Sequence, residues 1–174
     1  FFTFFADGTL LPESKERTIQ RMRGEAEVPK GKLRILVDKS DYLLKLLDEK
    51  GVFAIYPVVF GADPEKDKRM QGDRRTPEGK FKIESIYRHK KWHLMLMLDY
   101  PTNESRENFK RRIKNKRIPA DAEIGGGIGI HGTWPHDDYL IDQYKNWTDG
   151  CISLKNGHLD DLKKYVKTGT EVTV

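Results

Sequence analysis

The chain has 174 residues, of which 37% are hydrophobic and 34% charged, and it carries a net charge of +5. That length and balance fit one globular domain whose core needs neither disulfide nor metal, and they exclude a disordered or low-complexity chain. No apolar run approaches the roughly 20 residues needed to cross a bilayer, and the positive balance favours an anionic partner.

The chain begins at Phe1 rather than Met, so a signal or anchor segment is expected to lie outside it. Phe1-Phe2-Thr3-Phe4-Phe5 is apolar but short: the stub of a removed segment, or a strand packed on the domain. Residues 13–30 are charged and irregular and read as a lead-in. Leu33 to Val37 and Tyr42 to Leu47 read as strands, joined through Asp48-Glu49-Lys50-Gly51 to a β-branched and aromatic run from Val52 to Phe60. Pro57 inside that run predicts an edge position or a bulge.

Residues 61–79 are polar and rich in Gly and Pro, so they form a long loop of the kind that often carries function. Phe81 to Tyr87 and Trp92 to Leu98 are further predicted strands. A helix is expected over Asn103 to Lys116, with a thin apolar stripe. It contains the densest basic stretch, Lys110 to Arg117, which lacks the interleaved aromatics of a single-strand binding platform and any recognisable nucleic-acid module. The stretch reads as a solvated helix face, and no nucleic-acid partner is expected.

The glycine run Gly125-Gly126-Gly127-Ile128-Gly129-Ile130 enters a short strand that ends at His131. A strand is expected over Thr148 to Leu154. Asn156 is the expected N-cap of a last helix over Gly157 to Val166, which Gly169 ends, and Glu171 to Val174 is the closing strand. The predicted architecture is mainly β with two helices.

Cys151 is the only cysteine, which excludes an internal disulfide or a multi-cysteine zinc cluster. A lone cysteine is ordinarily a buried structural residue. Here Gly150 precedes it, so backbone or substrate can approach closely, and backbone N–H groups of such a turn can face an oxyanion. A thiol is mostly protonated near neutral pH and needs an imidazole to take its proton. His131, at a strand end beside Gly132, supplies one. Alone it would read as a structural histidine; with Gly150-Cys151 it forms a plausible dyad. A zinc site from His131, His136, Cys151 and an Asp can be drawn, but His-x4-His on a loop is a weak signal, and no metal is expected.

Ile130-His131-Gly132-Thr133 followed by Thr148-Asp149-Gly150-Cys151-Ile152-Ser153-Leu154 resembles the signature of the L,D-transpeptidase (YkuD-type) catalytic domain, in particular its YafK-like branch. The hairpin at residues 33–46, Gly72-Asp73-Arg74-Arg75-Thr76-Pro77-Glu78-Gly79, and Leu98-Asp99-Tyr100-Pro101 are similar to further pieces of that domain in the same order. The likeness spans residues 32–174 and leaves 1–31 as the lead-in. It implies a β-sandwich with a few helices around a His/Cys catalytic cleft, and acyl transfer on peptidoglycan stem peptides through a thioester on Cys151. By the same resemblance, His131 is the base, the Gly132 carbonyl orients its ring, the amides of Gly150 and Cys151 bind the oxyanion, and Thr148 holds the turn. No cofactor is implied.

Two positions depart from the family pattern. Asp149 stands where many members carry histidine, and a carboxylate sharing the thiol's pocket would raise its pKa. Asp149 is therefore expected to point away or to pair with Lys155 or an arginine. Ser153 stands where many members carry an arginine that meets a substrate carboxylate. The expected substrate-contact positions are thus Thr148, Asp149 and Ser153, with Arg74, Arg75 or Arg88 replacing the missing arginine.

The acceptor stays open between a stem-peptide amine, the amine of a wall-linked lipoprotein, and water, which would make a carboxypeptidase or endopeptidase. A non-catalytic peptidoglycan-binding domain also stays open. The substrate implies the periplasm or cell envelope, with any membrane anchor outside this chain.

Overall fold

The structure is a computed structural model that describes residues 15–24 and 26–174; the Phe1 to Phe5 segment lies outside the described residues. Its elements in chain order are β1 (Gln20–Arg21), β2 (Arg34–Asp38), β3 (Leu43–Asp48), β4 (Gly51–Pro57), β5 (Lys80–His89), β6 (His93–Leu98), α1 (Asn103–Lys114), β7 (Gly129–His131), α2 (Tyr139–Asp142), β8 (Ile152–Ser153), α3 (Asn156–Lys163) and β9 (Glu171–Thr173).

The strands form one mixed sheet in the order β1-β4-β3-β2-β9-β5-β6-β7-β8. Strict alternation builds its first half: β2 buries Ile35 and Val37, and β3 buries Leu44 and Leu46. Strand β5 serves both halves. Lys80 to Lys82 pair with β9, whereas Ile83 to His89 pair with β6, and a register shift falls between Ile83 and Ser85. An extra residue in one strand bends it, and here it does so where the sheet turns from one half to the other. Beyond Pro57 the chain bridges to the far edge, Val59 to Ser153 and Gly61 to Thr148, so the two halves face each other around one core. This is the expected mainly-β, sandwich-like class.

Helix α3 buries Leu159 and Leu162 against that core, whereas α1 buries nothing. Helix α1 begins at Thr102, whose hydroxyl accepts from the Ser105 N–H at 3.2 Å. Its Arg112 leaves the solvated face and donates to Asp67 at 2.7 Å and to the Lys68 carbonyl at 2.9 Å.

Several predicted elements differ. Asn156 is not the N-cap but the first residue of α3, because its side-chain oxygen is taken by the Thr133 N–H at 3.0 Å; Lys155 holds the cap position without a side-chain bond. The helix leaves α geometry at Lys163, where Lys164 and Tyr165 donate to carbonyls three residues back and tighten the last turn. Only Ile152 and Ser153 of the expected strand at 148–154 pair as a strand; Thr148 to Gly150 is a turn. Helix α2 and strand β1 are additions, so the described residues hold three helices.

The described lead-in docks on the domain. Arg17 donates to the carbonyls of Ile141 at 2.8 Å and Tyr42 at 2.5 Å, and β1 pairs with β4. Arg23 forms a two-pronged pair with the buried Asp48 at 2.9 and 2.5 Å.

Candidate active site

Strand β7 lies between β6 and β8, and its first residue must be glycine. A Cβ at Gly129 would sit 2.5 Å from Met95 Sδ and 2.8 Å from the Leu96 carbonyl oxygen. Two residues on, His131 is 1% exposed. Its Nδ1 lies 2.7 Å from the Gly132 carbonyl oxygen. A carbonyl only accepts, so Nδ1 carries the proton and Nε2 is the basic nitrogen. Trp92 stacks on the ring at 4.6 Å and 21°, and Trp147 meets it edge-on at 5.5 Å. Burial drives the imidazole pKa down to about 4; the Gly132 bond opposes that shift and nearby His89 adds to it.

Cys151 follows a tight turn. The Thr148 hydroxyl donates to the Cys151 carbonyl at 2.7 Å and accepts from the Gly150 N–H at 3.2 Å. Gly150 adopts φ 144°, and a Cβ there would meet the Arg75 carbonyl oxygen at 2.7 Å, so only glycine fits. The half-buried thiol donates to the Gly127 carbonyl at 3.4 Å. Burial pushes its pKa up to about 11; the Gly129 N–H pulls it down, Asp149 raises it, and Lys68 lowers it.

Parallel pairing relates the two residues. Ile130 is opposite Ile152 and His131 opposite Ser153. Paired residues of neighbouring strands share a face, so Ser153 shares the face that His131 occupies. Cys151, just ahead of β8, sets its thiol against Gly127 and Gly129, at the entry to the strand that ends in His131.

The other expected site residues divide into those behind the cleft and those beside it. Thr148 and Ser153 are buried: Thr148 holds the turn, and the Ser153 hydroxyl donates to the Gly132 carbonyl at 3.2 Å. The Gly150 N–H is engaged by Thr148, whereas the Cys151 N–H has no acceptor among the described residues. Asp149 points to solvent at 97% exposure, with Arg74 Nε 4.0 Å away; Lys155 instead pairs with Asp142 at 2.9 Å. Arg74 is itself 67% exposed, and Arg75 is tied to Asp63 at 2.8 Å. Among the described residues no group of three or more His, Cys, Asp or Glu is arranged to hold a metal, including the zinc set drawn around His136.

Sequence reasoning missed the walls of the site. Trp92 and Trp147 flank His131, and the chain's third tryptophan, Trp134, meets Trp92 edge-on; Trp134 and Trp147 are each 6.3 Å from Trp92, and His89 stacks on Trp92 at 4.4 Å. Lys68 and Asp73 form a buried pair at 2.8 Å in the long loop. The scarcity of tryptophan was the one available signal. Concave volume would not have located the site: cavities of about 760 and 630 Å³ are lined around Arg17 and around Asp38, not by Cys151 or His131.

Residues 32–174 match the family described as YkuD, the L,D-transpeptidase catalytic domain. No curated protein matches the sequence. Among solved structures the chain is similar to Bd1075 from Bdellovibrio bacteriovorus, with a TM-score of 0.58 and 21% identity over 82% of this chain and 47% of that one. It is also similar to the helical cell shape determining protein Pgp2 from Campylobacter jejuni, with a TM-score of 0.58 and 23% identity over 81% of this chain and 46% of that one. For an L,D-transpeptidase from Enterococcus faecium the TM-score is 0.54 and the identity 16%, over 83% and 50%. The chain thus spans about half the length of these proteins, and the likeness is one of fold.

Proposed function

The chain belongs to the YkuD family of L,D-transpeptidase catalytic domains, and from that premise we propose that it transfers acyl groups of peptidoglycan stem peptides through a thioester on Cys151. The observation that carries this reading is the His131 Nδ1 contact with the Gly132 carbonyl at 2.7 Å, which leaves Nε2 as the basic nitrogen on β7, the strand paired with the segment that Cys151 enters.

Burial pushes the thiol up to about 11 and the imidazole down to about 4, so the resting pair is neutral. The proton therefore moves from Sγ to Nε2 as sulfur attacks the carbonyl at the L-centre of the diamino acid, not beforehand. The C–S bond forms, and the unpaired Cys151 N–H receives the oxyanion. Collapse breaks the C–N bond, and His131 returns the proton to the departing D-residue amine. In the second half-reaction His131 deprotonates the acceptor. An amine gives a cross-link or an attached envelope protein, and water gives a shortened peptide.

Ser153 is buried where many family members carry arginine, and Arg75 is committed to Asp63. The exposed Arg74 beside Asp149 is then the cation for a substrate carboxylate at the rim. A stem-peptide substrate places the protein in the cell envelope, and a role in cell shape, as in the name of Pgp2, follows from the same chemistry.

Mass spectrometry of purified muropeptides incubated with wild type and Cys151→Ala tests this. Loss of a terminal D-residue with wild type alone supports the reading, and a dimer or a shortened product names the acceptor. Unchanged muropeptides, including protein-linked fragments, would overturn it in favour of a binding domain.

A further inference from the structure

Lys68 is 5% exposed, and its Nζ donates to Asp73 Oδ1 at 2.8 Å. An ammonium has three N–H groups, and no other acceptor for it exists among the described residues. A buried lysine so sparsely satisfied is unusual unless it has a second anion to serve. Its surroundings are built with care. Asp73 also accepts from the N–H groups of Arg69 at 2.6 Å, Met70 at 3.1 Å and Arg75 at 3.1 Å. Burial pushes this carboxyl up, but Lys68 and those three amides outweigh it and hold its pKa below the usual carboxylate range. Arg112, from the basic helix, pins the Lys68 carbonyl at 2.9 Å while pairing with Asp67.

This loop forms a wall of the cysteine site. On one side Gln71 packs on Gly125, where a Cβ would lie 3.3 Å from Gln71 Cα, and the Gln71 N–H donates to the Glu123 carbonyl at 2.7 Å. On the other side the Arg75 carbonyl lies against Gly150. Gly125 leads to Gly127, whose carbonyl receives the thiol, and Gly150 precedes Cys151. Both neighbours of the sulfur are therefore braced by the segment from Lys68 to Arg75. Asp149 on its own turn raises the thiol and Lys68 on this wall lowers it. His131 stands on β7, Arg74 lies exposed beside Asp149 and Arg75 is paired with Asp63, so Lys68 is the buried cation among these groups.

We propose that Lys68, held by Asp73, is the buried cation that stabilises the negative charge forming on Cys151 as its proton passes to His131. The inference deepens the acyl-transfer reading and rests on Cys151 as nucleophile. Net charge is unchanged in the step: Lys68 keeps its proton, the S–H bond breaks as the N–H bond on His131 Nε2 forms, and the negative charge developing on sulfur is matched by the imidazolium.

The test is the pH dependence of Cys151 alkylation by iodoacetamide, in which the thiolate displaces iodide and no wall substrate is needed. Lys68→Met should move the titration of the thiol upward and slow alkylation at pH 8 by about three- to tenfold. Asp73→Asn, which leaves the cation but removes its counter-charge, should move it the other way and speed alkylation. Lys68→Arg should stay near wild type. A purely structural pair would loosen the loop in either variant and shift both in the same direction. Shifts of the same sign, or none, would overturn the proposal. If thermal melting shows that Asp73→Asn does not fold, Lys68→Arg behaving like Lys68→Met would overturn it, and Arg retaining the wild-type profile would support it. Alkylation as expected without muropeptide turnover would refute the function and leave this charge effect standing.

Discussion

His131 and Ser153 converge on one acceptor: the imidazole Nδ1–H and the serine hydroxyl both donate to the Gly132 carbonyl, at 2.7 and 3.2 Å. The carbonyl is fixed from further sides, since the Gly132 N–H donates to the Trp92 carbonyl at 3.0 Å and a Cβ on Gly132 would collide with Asn156. A buried serine thus stands behind the proposed base, at a position expected from family resemblance to meet substrate.

Ser153→Ala removes a donor but leaves the carbonyl with its histidine bond, so no buried group is orphaned. The expected loss of stability is about 1 kcal/mol, typical of one neutral hydrogen bond. Turnover should fall a few-fold at unchanged KM, because the ring is held less firmly while the binding surface is intact. A main effect on KM, read from steady-state kinetics on muropeptides, would instead place Ser153 at the substrate.

Acid stability should report the buried imidazole. His131 stays neutral in the folded chain down to about pH 4, whereas the unfolded chain protonates it near 6.5. Between these values the unfolded state binds the extra proton, so stability is fully present above pH 6.5 and declines as pH falls. Full development of that shift corresponds to about 3 kcal/mol. His158, also lowered by burial, titrates in the same direction. Urea unfolding of wild type and His131→Asn at pH 7 and 4.5 separates them: the variant should lose less stability on acidification.

What the sequence made legible was short-range. The alternation in Ile35, Val37, Leu44 and Leu46 announced a half-buried hairpin, and Gly150 before Cys151 announced a close backbone approach beside the thiol. Long-range competition was not legible. Asn156 looks like a helix cap until Thr133, distant along the chain, takes its side-chain oxygen. Lys68 looks like one more surface lysine in a basic chain until the fold buries it against Asp73. Ser153 looks like a contact residue because it stands where many family members carry arginine, but its pairing opposite His131 buries its hydroxyl on the Gly132 carbonyl, behind the ring.

Two glycines should respond oppositely to alanine. At Gly150 the new methyl meets the Arg75 carbonyl oxygen at 2.7 Å with φ at 144°, so backbone must move beside the nucleophile. Gly150→Ala should cost upward of about 2 kcal/mol and abolish turnover. Gly157 lies exposed in α3 with nothing within 4 Å, so Gly157→Ala should stabilise by about 0.5–1 kcal/mol and leave activity alone. Thermal melts and muropeptide assays of both variants check the pair.

Arg74 carries the last prediction. It is held at positive φ (56°) and leaves its guanidinium 67% exposed, 4.0 Å from Asp149, which is 97% exposed. Two such solvated charges contribute little to stability, so Arg74→Ala should leave the melting temperature nearly unchanged. If the guanidinium meets a stem-peptide carboxylate, losing that charge-assisted bond should raise KM about tenfold, with a smaller effect on kcat. Arg74→Lys should recover part of the loss, since a point charge replaces a fork. Rising salt should weaken wild type more than Arg74→Ala. Equal salt dependence and an unchanged KM would assign substrate recognition to another face of the cleft.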